Sequence, residues 1–311
     1  MSQRKISLSN ARPFYLSKMS EGDENQKQKE ITPFQNPWRV FFLEAFLLSL
    51  TLGLGIAGAL RINAIFKIQE ITIPQISFWR FILYFLFFTL FILFIVRFIK
   101  FKKEKGIIFK VLFILAVFLG GLLLLEAWLP EPIPLIIILL LIFWWWKSPL
   151  VLNQDFCMIL GIAGVGSLLG LQLTPEIVIA LLIIFSIYDF IAVYKTKHMV
   201  KMAKEMIESG AILALVIPPN ISGFKARLAE IKLGGKFLIL GGGDIVFPLL
   251  FATSLVSQGI LNSLVVAIFS LIGLFAGFYF FIHQKMRQPI PALPPIAFFS
   301  IIGFLITLIF C

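Results

Sequence analysis

Residues 237–256 read FLILGGGDIVFPLLFATSLV, a stretch long and apolar enough to cross a bilayer that nevertheless carries one carboxylate, Asp244. The apolar stretch before it, 175–194, closes on SIYDFIAVY and carries Asp189. Placing a carboxylate in hydrocarbon costs about 3 kcal/mol even on lenient insertion scales, so an intramembrane acid is a functional hypothesis from the outset. Two of them on consecutive spans point to a pair that shares a proton and activates water.

The rest of the chain supports a membrane setting. Of its 311 residues 59% are hydrophobic and only 14% charged, and the mean hydropathy is +0.99. The apolar residues fall in blocks of about 20, which predicts an all-α, polytopic membrane protein. The formal charge of +11 lies in the loops, so no nucleic-acid partner is implied. Cys157 and Cys311 sit at opposite ends of the apolar region and imply neither a disulfide nor a metal cluster. No metal or organic cofactor is called for.

Nine spans are expected, over 39–60, 77–99, 107–129, 130–147, 150–172, 175–194, 237–256, 260–282 and 290–310. With a cytosolic N-terminus, 24 of the 27 Lys and Arg fall on the cytosolic side, and only Arg61, Lys67 and Arg80 do not. That alternation is the positive-inside rule operating loop by loop. The expected organisation is a flexible cytosolic tail over 1–37, without the apolar region of a signal peptide, and six spans over 38–194. A cytosolic loop over 195–236 and three spans over 237–311 follow, which leaves the C-terminus outside. The Trp144-Trp145-Trp146 run before Lys147 reads as an interfacial aromatic belt.

Counting at 1.5 Å per residue puts Asp189 roughly 9 Å, and Asp244 roughly 12 Å, below the cytosolic surface. Helices joined in sequence are usually neighbours, so the two carboxyls can meet. Burial and like-charge repulsion penalise double ionisation, and such a pair holds one proton around neutral pH. Gly241, Gly242 and Gly243 weaken the helix beside Asp244 and admit another backbone. Pro248 cannot donate to the carbonyl of Asp244. Pro289, Pro291, Pro294 and Pro295 keep the segment around Ala292 and Leu293 from being regular helix at the same depth.

Together Tyr188-Asp189, Leu240-Gly241-Gly242-Gly243-Asp244-Ile245-Val246 and Pro291-Ala292-Leu293-Pro294 resemble the YD, GxGD and PAL motifs of the presenilin and signal peptide peptidase family. Their order and their places on spans six, seven and nine match, over residues 39–311. The resemblance implies an intramembrane aspartyl protease whose catalytic pair is Asp189 and Asp244. It also implies that Pro291, Ala292 and Leu293 shape the site and help place substrate. Two departures stand out. Gly242 occupies a position where a larger residue is common, and Gln288-Pro289-Ile290 mixes peptidase-like and presenilin-like features. The short sixth connection suggests a compact, prokaryotic-type member, oriented like presenilin in a plasma membrane. Expected partners are the lipid bilayer and single-span membrane-protein substrates or remnant signal and anchor peptides; homo-oligomerisation is compatible with the sequence.

In the loop, 197–208 reads as an interfacial amphipathic helix. Segment 211–219, apolar, partly β-branched and ended by prolines, suits either a strand or a loop lying on the membrane, and on the strand reading 212–217 or 237–240 is expected to offer an edge to an unwound substrate. Glu44, Glu126 and Asp155 all read as shallow acids that snorkel or make a local hydrogen bond. Tyr188 is expected to pack or hydrogen-bond near the pair. Gly166 with Gly170 and Gly273 with Gly277 have the spacing of close helix contacts. The competing readings are an ion-coupled transporter or channel, which also uses broken helices and intramembrane carboxylates, and an inactive membrane scaffold. No inverted repeat supports the former, and the presence of both aspartates weakens the latter.

Overall fold

A computed structural model describes residues 36–98, 102–196, 198–210, 212–232, 235–284 and 289–310. The tail expected over 1–37 lies outside them apart from Asn36 and Pro37, as do Lys285, Arg287, Gln288 and Cys311. The described chain is mainly helical: α1 (Pro37–Ile68), α2 (Phe78–Phe98), α3 (Lys102–Glu126), α4 (Ile133–Lys147), α5 (Val151–Gln172) and α6 (Pro175–Tyr194) are followed by α7 (His198–Ser209). Then come strands β1 (Ala214–Ile217) and β2 (Leu238–Gly241), and helices α8 (Gly242–Ser254), α9 (Ile260–Ile282) and α10 (Leu293–Phe310). Prolines open α1, α4 and α6, where a missing amide is harmless and the fixed φ suits the first turn.

Among the described residues five helices are long and apolar enough to cross a membrane: α1, α3 from Ile107, α5, α6 and α9. Four further apolar stretches, Phe78–Phe91, Ile133–Lys147, Gly242–Ser254 and Leu293–Ile309, are shorter. Each overlaps one of the expected spans, but the four shorter ones fall below the length of a full crossing, while α7 is the predicted amphipathic helix of the loop. The all-α expectation needs one amendment, because β1 and β2 pair antiparallel with Ala214 opposite Gly241 and Ile217 opposite Leu238. Residues 238–241 are therefore strand, and the seventh apolar helix starts at Gly242 rather than at 237.

Helix α5 is the hub, packed by α1, α3 and α8. The small-residue spacings act as expected on the far side of the bundle too. A Cβ on Gly273 of α9 would lie 2.6 Å from the Cα of Ile296, and one on Gly277 3.1 Å from Cγ of Pro295, so α10 presses its first turns into α9. Helix α2 keeps most side chains exposed and leans on α6 through Phe85 against Phe185, 5.1 Å between centroids.

The loop between α6 and α8 is more ordered than an amphipathic helix plus a strand. Ile212, Ala214, Val216, Leu228 and Ile231 form a small apolar core with Val151 of α5. The amide of Val151 donates to the carbonyl of Ala226, and that of Leu228 to the carbonyl of Pro149. Trp145 departs from the expected belt: Trp144 and Trp146 are exposed, but Trp145 is buried against Phe113.

Candidate active site

Asp189 lies in the last turns of α6 and is 4% exposed. Its Oδ2 accepts a hydrogen bond of 3.4 Å from the amide of Leu293. Leu293 opens α10, and the next two residues are prolines without amides, so this donor is the one the first turn has to give. The helix terminus also favours negative charge at that point. Pro291 and Leu293 are buried and Ala292 half-buried, so the PAL segment meets α6 at the aspartate.

Asp244 sits in the first turn of α8 and is 9% exposed. Its carboxyl interacts with the backbone amide of Gly241, the reciprocal half of a capping box in which the side chain of the third residue satisfies the cap amide. Strand β2 thus runs straight into the residue that holds the acid. Gly241 has ordinary extended dihedrals, and a Cβ there would lie 2.9 Å from Oδ2 of Asp244, so a side chain would displace the carboxyl rather than the backbone. At Gly242 a Cβ would lie 3.0 Å from the carbonyl oxygen of Leu213. A larger side chain at this variable position would therefore press on the backbone just before β1. Gly243 is exposed, with nothing nearer to its Cβ position than Phe247 at 3.9 Å.

The two acids face each other. Phe185 of α6 and Phe247 of α8 pack with centroids 4.5 Å apart. Phe185 is one turn from Asp189 and Phe247 three residues from Asp244, spacings that put each pair on one helix face. Asp189 is near enough to Asp244 for charge on one to oppose charge on the other. Tyr188, next to Asp189 on α6, is 55% exposed.

Glu44 also departs from its shallow reading. It is buried on α1, its charge interacts with that of Asp244, and Oε2 has no hydrogen-bond partner. Asp155 does not snorkel. It is buried in α5 and its Oδ1 accepts the amide of Val216 at 2.8 Å. Beside it, Trp145 donates to Oε1 of Gln154, and Nε2 of Gln154 donates to the carbonyl of Ile212. The amide of Gly242 reaches the carbonyl of Leu213, so by alternation Val216 turns its backbone groups away from β2. Helix α5 thus occupies the outer edge of β1. The same alternation turns Ile239 and Gly241 of β2 outward on the opposite side. Sequence reasoning missed this arrangement; buried Gln154 and Asp155 side by side in an apolar helix were its signal.

Among the described residues, no group of three or more His, Cys, Asp or Glu is arranged to hold a metal ion. A sequence model of the signal-peptide peptidase and presenilin aspartyl proteases matches residues 43–311. The chain belongs to that family. Comparison with curated protein sequences gives no match. Among solved structures, the fold is similar to a presenilin family intramembrane aspartate protease crystallised in space group C222, at 23% identity and a TM-score of 0.59, covering 87% of this chain and 99% of that one. A presenilin family intramembrane aspartate protease in space group P2 gives 24% identity and a TM-score of 0.53, covering 85% and 97%. The presenilin-like fold expected from the motifs is therefore present. The protein is an integral membrane aspartic endopeptidase, and the carrier and inactive-scaffold alternatives give way to that assignment.

Proposed function

We propose that Asp189 and Asp244 are the catalytic pair of this presenilin-family protease, and that it cuts peptide bonds within transmembrane helices of single-span proteins and remnant signal or anchor peptides. The observation that carries this reading is the meeting of three elements: Asp189 held by the Leu293 amide at the start of α10, and Asp244 held at the β2–α8 junction in electrostatic reach of it. With one proton between them, the ionised carboxyl takes a proton from water as the oxygen attacks the peptide carbon. The protonated carboxyl meanwhile donates to the carbonyl oxygen. Collapse breaks the C–N bond and passes a proton to the leaving nitrogen. The pair titrates as a unit, so neither member is assigned as base.

A helical peptide bond is shielded and must first be unwound. The outward edge of β2 leads directly to Asp244 and supports addition of the substrate as a third strand there. The edge of β1 is already taken by Asp155 and Gln154, so 238–241 is the favoured half of the two segments expected to serve. Positive-inside alternation supports a cytosolic N-terminus, nine spans and a pair in the cytosolic half of a plasma membrane. Gly241, Gly242, Gly243, Pro291, Ala292 and Leu293 shape the site; Tyr188 is left facing outward, where a laterally arriving helix could touch it.

Cleavage of a single-span substrate by purified protein in liposomes, beside Asp189→Ala and Asp244→Ala, tests the pair. Wild type is expected to cut while each single variant loses at least about a thousandfold in rate, because removing either member of a cooperating unit removes most of its effect. Cleavage by both variants at the wild-type rate would overturn the assignment.

A further inference from the structure

Glu44 has no role in the pair, yet it is only 5% exposed and its Oε2 has no hydrogen-bond partner among the described residues. A buried carboxyl left unpaired is costly, which makes it a group built to meet something. Among the described residues it is the sole charged one lining a partly open cavity of about 160 Å³, enough for several waters or one long side chain. The other walls are apolar. Ile239 and Leu240 come from β2, Phe278 from α9, and Ile290 and Ala292 from the segment that leads into α10. Neither aspartate lines the cavity, so it adjoins the reacting centre without containing it. Its walls are the two elements expected to hold substrate.

We propose that this cavity is a substrate side-chain subsite, and that Glu44 selects a lysine or arginine lying on the cytosolic flank of the scissile bond. The inference rests on the strand-addition and orientation readings above. A strand laid on β2 sends every second side chain to one face, which brings one of them against Ile239 and Leu240. The positive-inside rule places Lys and Arg at the cytosolic end of single-span proteins, so the flank nearest this side of the site is the basic one. A lysine can lay its methylene stem along the apolar walls and put its ammonium on the carboxylate. A substrate offering leucine would leave Glu44 buried and unpaired, and one offering glutamate would add repulsion. Discrimination of this kind works by penalising the wrong partner.

The test is a substrate series with Lys, Leu or Glu at each of the first few positions on the cytosolic side of the cut. It is run in maltoside detergent, which carries no amine that could stand in for the side chain. Wild type should prefer Lys to Leu at one of these positions by roughly tenfold in kcat/KM. Glu44→Gln should bring that ratio close to one, and Glu44→Lys should turn the preference toward Glu. The same ratios should appear in binding to the Asp189→Asn variant, where no chemistry occurs. If wild type cuts without any Lys preference, or if Glu44→Gln slows all substrates equally, the subsite is overturned while the protease stands. Equal slowing would make Glu44 a third acid of the pair. If wild type cuts nothing, the proposed catalytic pair fails, and the binding ratios alone decide the subsite.

Discussion

A methyl group added at Gly241 and one added at Gly242 meet different kinds of neighbour. At Gly241 the nearest atom is Oδ2 of Asp244 at 2.9 Å, the free end of a side chain that can swing aside without moving backbone. Gly241→Ala should therefore leave the melting temperature within about 2 °C and lower kcat on the order of 10–100-fold, since small misplacements of a reacting group are costly. At Gly242 the nearest atom is the carbonyl oxygen of Leu213 at 3.0 Å, which is backbone and cannot yield cheaply. Gly242→Ala should cost about 1 kcal/mol and lower the melting temperature by ~2–4 °C. Thermal unfolding and kcat measured on both variants check this, and identical behaviour of the two would refute it. The aspartates and the PAL prolines were legible because polar and helix-breaking residues stand out in an apolar run. Glu44 was equally visible, but counting depth along α1 gives no information about which face it occupies or what sits opposite.

Among elements, β2 was the hardest to read. Leu238-Ile239-Leu240 is as good a helix opening as a strand by hydropathy alone, and it becomes strand because β1, more than twenty positions earlier, pairs with it. Strand β1 is in turn fixed by α5, through Asp155 on the Val216 amide and Gln154 on the Ile212 carbonyl. None of these partners is near in sequence, which is why the helices and the candidate strand at 212–217 were legible but its pairing with 238–241 and its anchoring on α5 were not. The dependence predicts that Asp155→Ala, which leaves the Val216 amide buried and unpaired, costs ~1–3 kcal/mol locally and speeds amide exchange across 212–217 by at least about fivefold. Asp155→Asn, which keeps an acceptor, should stay near wild type. Hydrogen exchange followed by mass spectrometry reads both, and unchanged protection in the alanine variant would show that β1 stands without its anchor.

At the scale of the whole molecule, lipid leaves a chain few ways to satisfy its backbone, so runs of apolar residues must be helices and their number follows from hydropathy. The sidedness follows from a different force, the retention of Lys and Arg on the cytosolic face, and it fixes which flank of a substrate meets β2 and Glu44. The sidedness can be measured with single cysteines in a background lacking Cys157 and Cys311. Ser222 lies exposed in the loop between α6 and α8, and Gln258 lies exposed in the turn between α8 and α9. Only α8 lies between them, so on the proposed topology they are on opposite sides. In right-side-out vesicles, Gln258→Cys should react with a membrane-impermeant maleimide directly, and Ser222→Cys only after the membrane is opened. The reverse pattern would invert the protein and present the opposite, outward flank of a substrate to Glu44, where no excess of Lys and Arg is expected. The positive-inside argument for a basic side chain in the cavity would then fail with the orientation, even if Asp189 and Asp244 still cut.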